Sequence, residues 1–209
     1  AGVGHILLGL VLLTQLSVTA GILYLVHHVI TMSSLLLTTG ALEHTYGSGR
    51  PDRLSGLTRR EPWVMAVLAL GMFSLVGLPP TSGLWGKVGL LQASSQQITG
   101  GDAALGWAAL LAVVVASVGS LLGLQRVWRR LAWGEDMTTY RPDDPTTGRG
   151  EEQSLPDEVR VPWRLLAPGA AMIALSLALF AGIGGVLPSI DVAAADLLDV
   201  EAYVEAVSG

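Results

Sequence analysis

Cysteine is absent from the chain, which excludes disulfides, thiolate metal sites and thiol nucleophiles. Basic charge is scarce as well: 12 Lys and Arg stand against 17 Asp and Glu, for a net charge of -5. That balance offers no electrostatic footprint for nucleic acid. Acidic charge is absent from the interior of every apolar run, because each carboxylate falls in a loop, a tail or at a segment end, Glu43, Glu61 and Asp102 included. A hard cation such as Na⁺ wants oxygen ligands with carboxylate among them, so the apolar part suits protons better than bound sodium. No metal-ligand spacing and no cofactor motif is read. What remains is apolar: 51% of the residues are hydrophobic, 14% are charged, and the mean hydropathy is +0.54. This is the composition of an integral membrane chain. It opens inside an apolar run at Ala1-Gly2-Val3-Gly4, with no initiator methionine and no charged n-region, as a piece of a longer polypeptide would.

Five apolar segments are expected, giving an all-α, polytopic membrane protein. They cover about 1–13, 19–42, 63–93, 103–124 and 165–187. The third exceeds the roughly 20 residues a straight helix needs to cross a bilayer core. A break at Pro79-Pro80 accounts for the excess. Arg50, Arg53, Arg59 and Arg60 lie between segments two and three; Arg126, Arg129, Arg130, Arg141, Arg149, Arg160 and Arg164 lie between four and five. The opposite connections carry no Lys or Arg, so the positive-inside rule puts the arginine loops in the cytoplasm and the carboxyl terminus outside the cell membrane. The expected division is a transmembrane portion over 1–133, a flexible cytoplasmic loop over 134–162, a last transmembrane helix over 163–188, and an acidic amphipathic tail over 189–209. In segment four, Ala108, Ala112, Ala116 and Ser120 form a smooth stripe for close helix approach.

The chain's one lysine, Lys87, follows the double proline in Leu78-Pro79-Pro80-Thr81-Ser82-Gly83-Leu84-Trp85-Gly86-Lys87. A charge in hydrocarbon costs roughly 2.5–3.5 kcal/mol and persists where it faces protein or water. A broken helix beside a buried cation is a common way to build an ion path; the alternative is a long stem snorkelling to an interface. In segment two, Tyr24, His27, His28, Thr31, Ser34, Thr38 and Thr39 share one arc at 100° per residue. The pair His27-His28 suits proton exchange, since imidazole titrates near neutrality. Ser34, Thr38 and Thr39 read first as helix-packing hydroxyls. His5 and His44 read as structural or surface residues.

Two stretches carry a family resemblance: Tyr24-Leu25-Val26-His27-His28 with the hydroxyl-rich helix after it, and Gly77-Leu78-Pro79-Pro80-Thr81-Ser82-Gly83-Leu84-Trp85-Gly86-Lys87. Together they resemble the proton-conducting antiporter subunits shared by multi-subunit Na⁺/H⁺ antiporters of the Mrp type and by respiratory complex I, the double histidine pointing to the D-type member of Mrp. The resemblance implies the last third of an inverted-repeat fold, with the broken helix and terminal lysine of its second repeat. It implies proton transfer through Lys87, His27, His28, Tyr24, Thr31 and Ser34, a helix break at Pro79, Pro80 and Gly83, and partners that are other membrane subunits of a hetero-oligomeric antiporter, with protons and Na⁺ as cargo. One departure stands out: the family has a lysine four residues after the second histidine, where this chain has Met32. The other readings are a proton-pumping membrane subunit of complex I or a membrane hydrogenase, and a non-conducting structural subunit.

Overall fold

The structure, a computed structural model, describes residues 2–51, 53–144 and 148–208. Ala1, Asp52, the loop positions 145–147 and Gly209, which fall within the expected segments, lie outside the described residues. The chain is helical along most of its length: α1 Gly2–Val11, α2 Gln15–Tyr46, α3 Leu57–Arg60, α4 Pro62–Val76, α5 Gly83–Gly100, α6 Ala103–Ala132, α7 Trp163–Ala181, α8 Ile183–Leu198 and α9 Val200–Ser208. Three of these, α2, α6 and α7, are long and apolar enough to cross a membrane by themselves. The third apolar segment divides into α4 and α5, of 15 and 18 residues. Helix α4 spans only about 22 Å at 1.5 Å per residue, short of a bilayer core of about 30 Å. The expected break is therefore present, as a connection over residues 77–82.

The chain forms two compact units. The first comprises residues 1–29, 74–120 and 176–209. Its core is built from small clusters in which Leu12 packs with Ala93 and Ala109, and Ala20 with Leu90 and Val113. Glycine permits the closest approaches: a Cβ at Gly9 would lie 2.6 Å from Gly21 Cα. Helix α6 buries Gly106, Ala109 and Val113, while Ala108 and Ala112 stay exposed. The buried stripe is thus rotated from the Ala108–Ala112 line, and Ala112 and Ala116 instead wall a 160 Å³ cavity with Gly4, His5, Leu8 and Val113. Large apolar side chains such as Leu111, Val115 and Val118 stay exposed on this part of α6, as a lipid-facing surface does.

The second unit comprises residues 30–73 and 121–175. Its core gathers Leu42, Tyr46, Leu54, Leu57, Val64, Met65, Leu68, Leu131 and Leu166. Within the stretch 134–162, Thr139–Tyr140 (β1) pairs antiparallel with Gln153–Ser154 (β4), and Asp143–Asp144 (β2) with Gly148–Arg149 (β3). Thr139 Oγ1 donates to Glu152 at 2.7 Å and Arg141 approaches it at 3.5 Å; these contacts, the hydroxyl first, hold the Glu152 carboxyl below its ordinary range. The last apolar segment is divided between two helices. Helix α7 stops at Ala181, and Pro188 lies inside α8. Gly182, a poor helix former, stands at the interruption as the residue capping α8.

Glu61, at the head of α4, is only 6% exposed, so this segment-end acid is enclosed by protein. Tyr46 Oη donates to its Oε1 at 2.5 Å and the Val161 N–H at 2.7 Å. Arg60, the last residue of α3, adds donations to Val159 O at 2.8 Å and to Pro156 O, which fasten the far end of the loop to α3. Glu61→Ala takes the acceptor from the buried Val161 N–H and leaves Tyr46 Oη only the long contact to Val159 O at 3.5 Å, and is expected to cost about 2–4 kcal/mol. Glu61→Gln, which keeps one acceptor oxygen, is expected to cost less. Thermal unfolding together with limited proteolysis of the 134–162 stretch checks this: the alanine variant should be cleaved faster, and equal cleavage would contradict it.

Candidate functional site

The site lies in the first unit, at the break. Helix α4 ends where Gly77 turns into the left-handed region with φ 85°, its N–H bonding Ser74 O at 3.0 Å. A side chain there would be strained and would meet Lys87 Cδ at 2.7 Å. Leu78, the cis-linked Pro79-Pro80, Thr81 and Ser82 follow. Neither proline can donate a backbone hydrogen bond, so the helix cannot continue through them. Thr81 Oγ1 donates to Leu78 O at 2.6 Å, and α5 begins at Gly83.

One turn into α5, Lys87 is 6% exposed. Its Nζ donates to Val76 O at 2.6 Å, to Leu75 O at 3.3 Å and to Ser117 Oγ of α6 at 2.9 Å. All three ammonium donors have partners. Two of these are last-turn carbonyls of α4, which the end of a helix leaves without internal donors and which carry its partial negative charge. The head group faces the end of the broken helix, and the stem does not run out to an interface.

His27 is fully buried. Its Nδ1 lies 3.0 Å from Ser82 Oγ and 3.4 Å from Ser74 Oγ. Ser176 Oγ of α7 completes the group, 2.8 Å from Ser82 Oγ and 3.3 Å from Ser74 Oγ, and it accepts the Ser82 N–H at 3.4 Å. Gly83 lets the imidazole reach this cluster: a Cβ there would stand 2.3 Å from Ser74 O and 2.7 Å from His27 Cε1. Tyr24 joins the rings together. His5 stacks on it at 4.7 Å, His27 meets it edge-on at 5.3 Å, and His28 lies parallel at 6.3 Å. Within the hydrogen-bonded group of His27, Ser82, Ser176 and Ser74, each hydroxyl can both donate and accept, as can a neutral imidazole.

Of the sequence-derived residues, His27, Gly83 and Lys87 therefore gather at the break, Tyr24 packs on Gly86 of α5, His28 lies between the Tyr24 ring and Gly2 of α1, and Pro79 and Pro80 form the exposed outer turn. Thr31, Met32 and Ser34 belong to the second unit. Thr31 is buried, Met32 half-buried, and Ser34 Oγ donates to Gly169 O of α7 at 2.8 Å, as a packing hydroxyl does. Thr38 Oγ1 donates to Ser34 O at 2.7 Å. Sequence reasoning passed over Ser74, Ser117 and Ser176 and set His5 aside. Their signal was a lone polar residue in an apolar helix, which is also how packing hydroxyls look. Among the described residues no group of three His, Asp or Glu side chains forms a metal site.

A family model described as "NADH:quinone oxidoreductase/Mrp antiporter, TM" matches residues 1–123. The chain is 30% identical over 205 residues to the D-type subunit of the Na(+)/H(+) antiporter of Bacillus subtilis (strain 168), covering 98% of this chain and 37% of that one. It is 35% identical over 129 residues to the N-type subunit of the NADH-quinone oxidoreductase of Thiobacillus denitrificans, covering 59% and 25% respectively. A chain in the "Structure of Mrp complex from Dietzia sp. DQ12-45-1b" superposes with a TM-score of 0.85 at 34% identity, over 100% of this chain and 43% of that chain. The chain thus spans well under half the length of the relatives it matches.

Gly83→Ala is expected to push His27 or the α4 end out of place, at a cost of about 1–3 kcal/mol. Gly100→Ala, in the same helix with nothing within 4 Å of its Cβ, is the control and should change little. Thermal unfolding of the two variants decides; equal midpoints would contradict the packing argument.

Proposed function

As a member of the NADH:quinone oxidoreductase/Mrp antiporter transmembrane family, a multi-pass membrane chain matched over residues 1–123, this protein is, we propose, part of a D-like subunit of a multi-subunit Na⁺/H⁺ antiporter that relays protons through Lys87 and the His27 cluster. In this reading the chain is the carboxy-terminal part of that larger polypeptide. Residues 134–162 form its cytoplasmic loop, the last span follows over 163–188, and the 189–209 tail lies outside. Other membrane subunits are its partners, and protons and Na⁺ its cargo.

The observation that carries the reading is the enclosed ammonium of Lys87, held by the carbonyls that end α4. Loss of its proton would leave two N–H donors for three acceptors and remove the charge, weakening the tie of α5 to the end of α4 and to Ser117, so protonation and local conformation are linked at one atom. His27, with Ser82, Ser74 and Ser176, supplies the neighbouring row of groups able to exchange protons. Moving one charge across 100 mV is worth about 2.3 kcal/mol, enough for a membrane potential to drive such a relay. The antiporter is favoured over the oxidoreductase reading by the extent of likeness: the Bacillus subtilis relative matches 98% of the chain, while the Thiobacillus denitrificans one matches 59%. Met32, which carries no proton, is what speaks for a non-conducting role.

Substitution of Lys87 tests the proposal in the assembled complex, with Na⁺/H⁺ exchange read in everted vesicles. Lys87→Ala should abolish exchange. Lys87→Arg should assemble and still abolish it, because a guanidinium keeps its proton at any working pH. Full exchange in the arginine variant would reduce Lys87 to a structural tie. Met32→Lys should leave exchange near the parent level; a large gain would favour the non-conducting reading.

A further inference from the structure

Arg59, Arg60 and Arg160 have no part in the proposed proton path. They line a cavity of about 410 Å³ in the second unit, together with Asp136, Asp157 and Leu155. This size falls within the roughly 300–1,000 Å³ of small-ligand pockets. Arg60 is a fixed wall: its side chain is 14% exposed, and Val159 O, Pro156 O and Tyr46 Oη accept from its guanidinium. Arg59 stands open to solvent. Its side chain is 78% exposed and it meets Asp136, 66% exposed, at 3.4 Å. Such surface pairs are worth little and yield to a better anion. Arg160 Nε donates to Asp157 O at 3.4 Å, and the Asp157 carboxylate stands in full solvent, 3.9 Å from Arg60. Three guanidiniums therefore share the cavity with two carboxylates, both largely turned to water.

The sequence places the cavity at a membrane surface. Each strand of its wall lies three or four residues along the chain from an exposed tryptophan: Arg59 and Arg60 precede Trp63, Trp133 precedes Asp136, and Arg160 precedes Trp163. Tryptophans in such positions sit at headgroup level. The arginines around them put this end of the helices on the cytoplasmic side, where the leaflet is anionic.

We propose that this cavity binds the phosphate of an anionic lipid headgroup. Phosphate oxygens accept paired N–H donors from guanidinium, a geometry that ammonium cannot offer. Arg60 supplies a preset contact, Arg59 and Arg160 close over the anion, and Leu155 provides an apolar flank for the lipid backbone.

The assembled complex in phosphatidylcholine nanodiscs doped with phosphatidylglycerol tests this, with lipid retention read by native mass spectrometry and stability by thermal midpoint. The wild type should retain phosphatidylglycerol and gain stability with its fraction. R59Q/R160Q should weaken retention about tenfold, the value of one charge-assisted contact, while keeping its midpoint in pure phosphatidylcholine. D136N/D157N should strengthen retention, which separates the charge argument from a folding defect. Inorganic phosphate added to pure phosphatidylcholine discs distinguishes the source: a midpoint rise equal to that from phosphatidylglycerol, lost in R59Q/R160Q, keeps the site and makes a soluble phosphate its occupant. Equal retention by the wild type and both double variants, or no preference for phosphatidylglycerol, overturns the proposal.

Discussion

The contact between the Lys87 ammonium and the carbonyls of Leu75 and Val76 is the constraint on which the site rests. A helix stopped inside a membrane leaves its last carbonyls without donors, and no water stands in the hydrocarbon to supply them. An ammonium buried without partners would be equally costly. Each group answers the other's need, and the prolines that create the first problem stand seven and eight residues before the lysine that resolves it. Gly77 turns the backbone so that the lysine stem can pass, and Gly83 opens the space in which His27 packs. The break, the lysine and the histidine cluster are consequently one assembly within one unit.

In the proposed relay the same interaction lets that assembly act as well as hold. A tie made of backbone carbonyls and an ammonium weakens when the ammonium loses its proton, because a neutral amine has two N–H donors for three acceptors and no charge. His27 lies beside the same connection, bonded to Ser82 on the residue before α5 and to Ser74 in the last turn of α4. Proton exchange at either group would be felt by the same short turn. This shared dependence, and not any single residue, underlies the proposed relay.

Much of the arrangement was legible because membranes restrict sequence severely. Lys87 and Pro79-Pro80 were conspicuous, since a charge and a helix breaker in an apolar run each demand a special reason. The polar arc of α2 was equally visible, and Tyr24, His27, Thr31, Ser34 and Thr38 all lie on its buried side. The sequence did not distinguish hydroxyls that pack from hydroxyls that join the cluster: Ser34 bonds the Gly169 carbonyl, whereas Ser176, which looked no different, bonds Ser82. Those partners come from residues more than ninety positions away, and periodicity along one helix carries no information about them. The partner of His5 was hidden for the same reason, as its stacking on Tyr24 arises between helices. Glu61 read as a segment-end acid, and only the fold showed it enclosed by Tyr46 and the returning loop.

Because Lys87 is the chain's one lysine, its enclosure can be measured directly. An amine-acylating reagent applied from the aqueous phase to the assembled complex in membranes, followed by peptide mapping, reads its accessibility without any substitution. The account predicts that the peptide carrying Lys87 stays unmodified in the folded complex and reacts once the complex is denatured. Modification in the folded complex at the rate of a free lysine would contradict it.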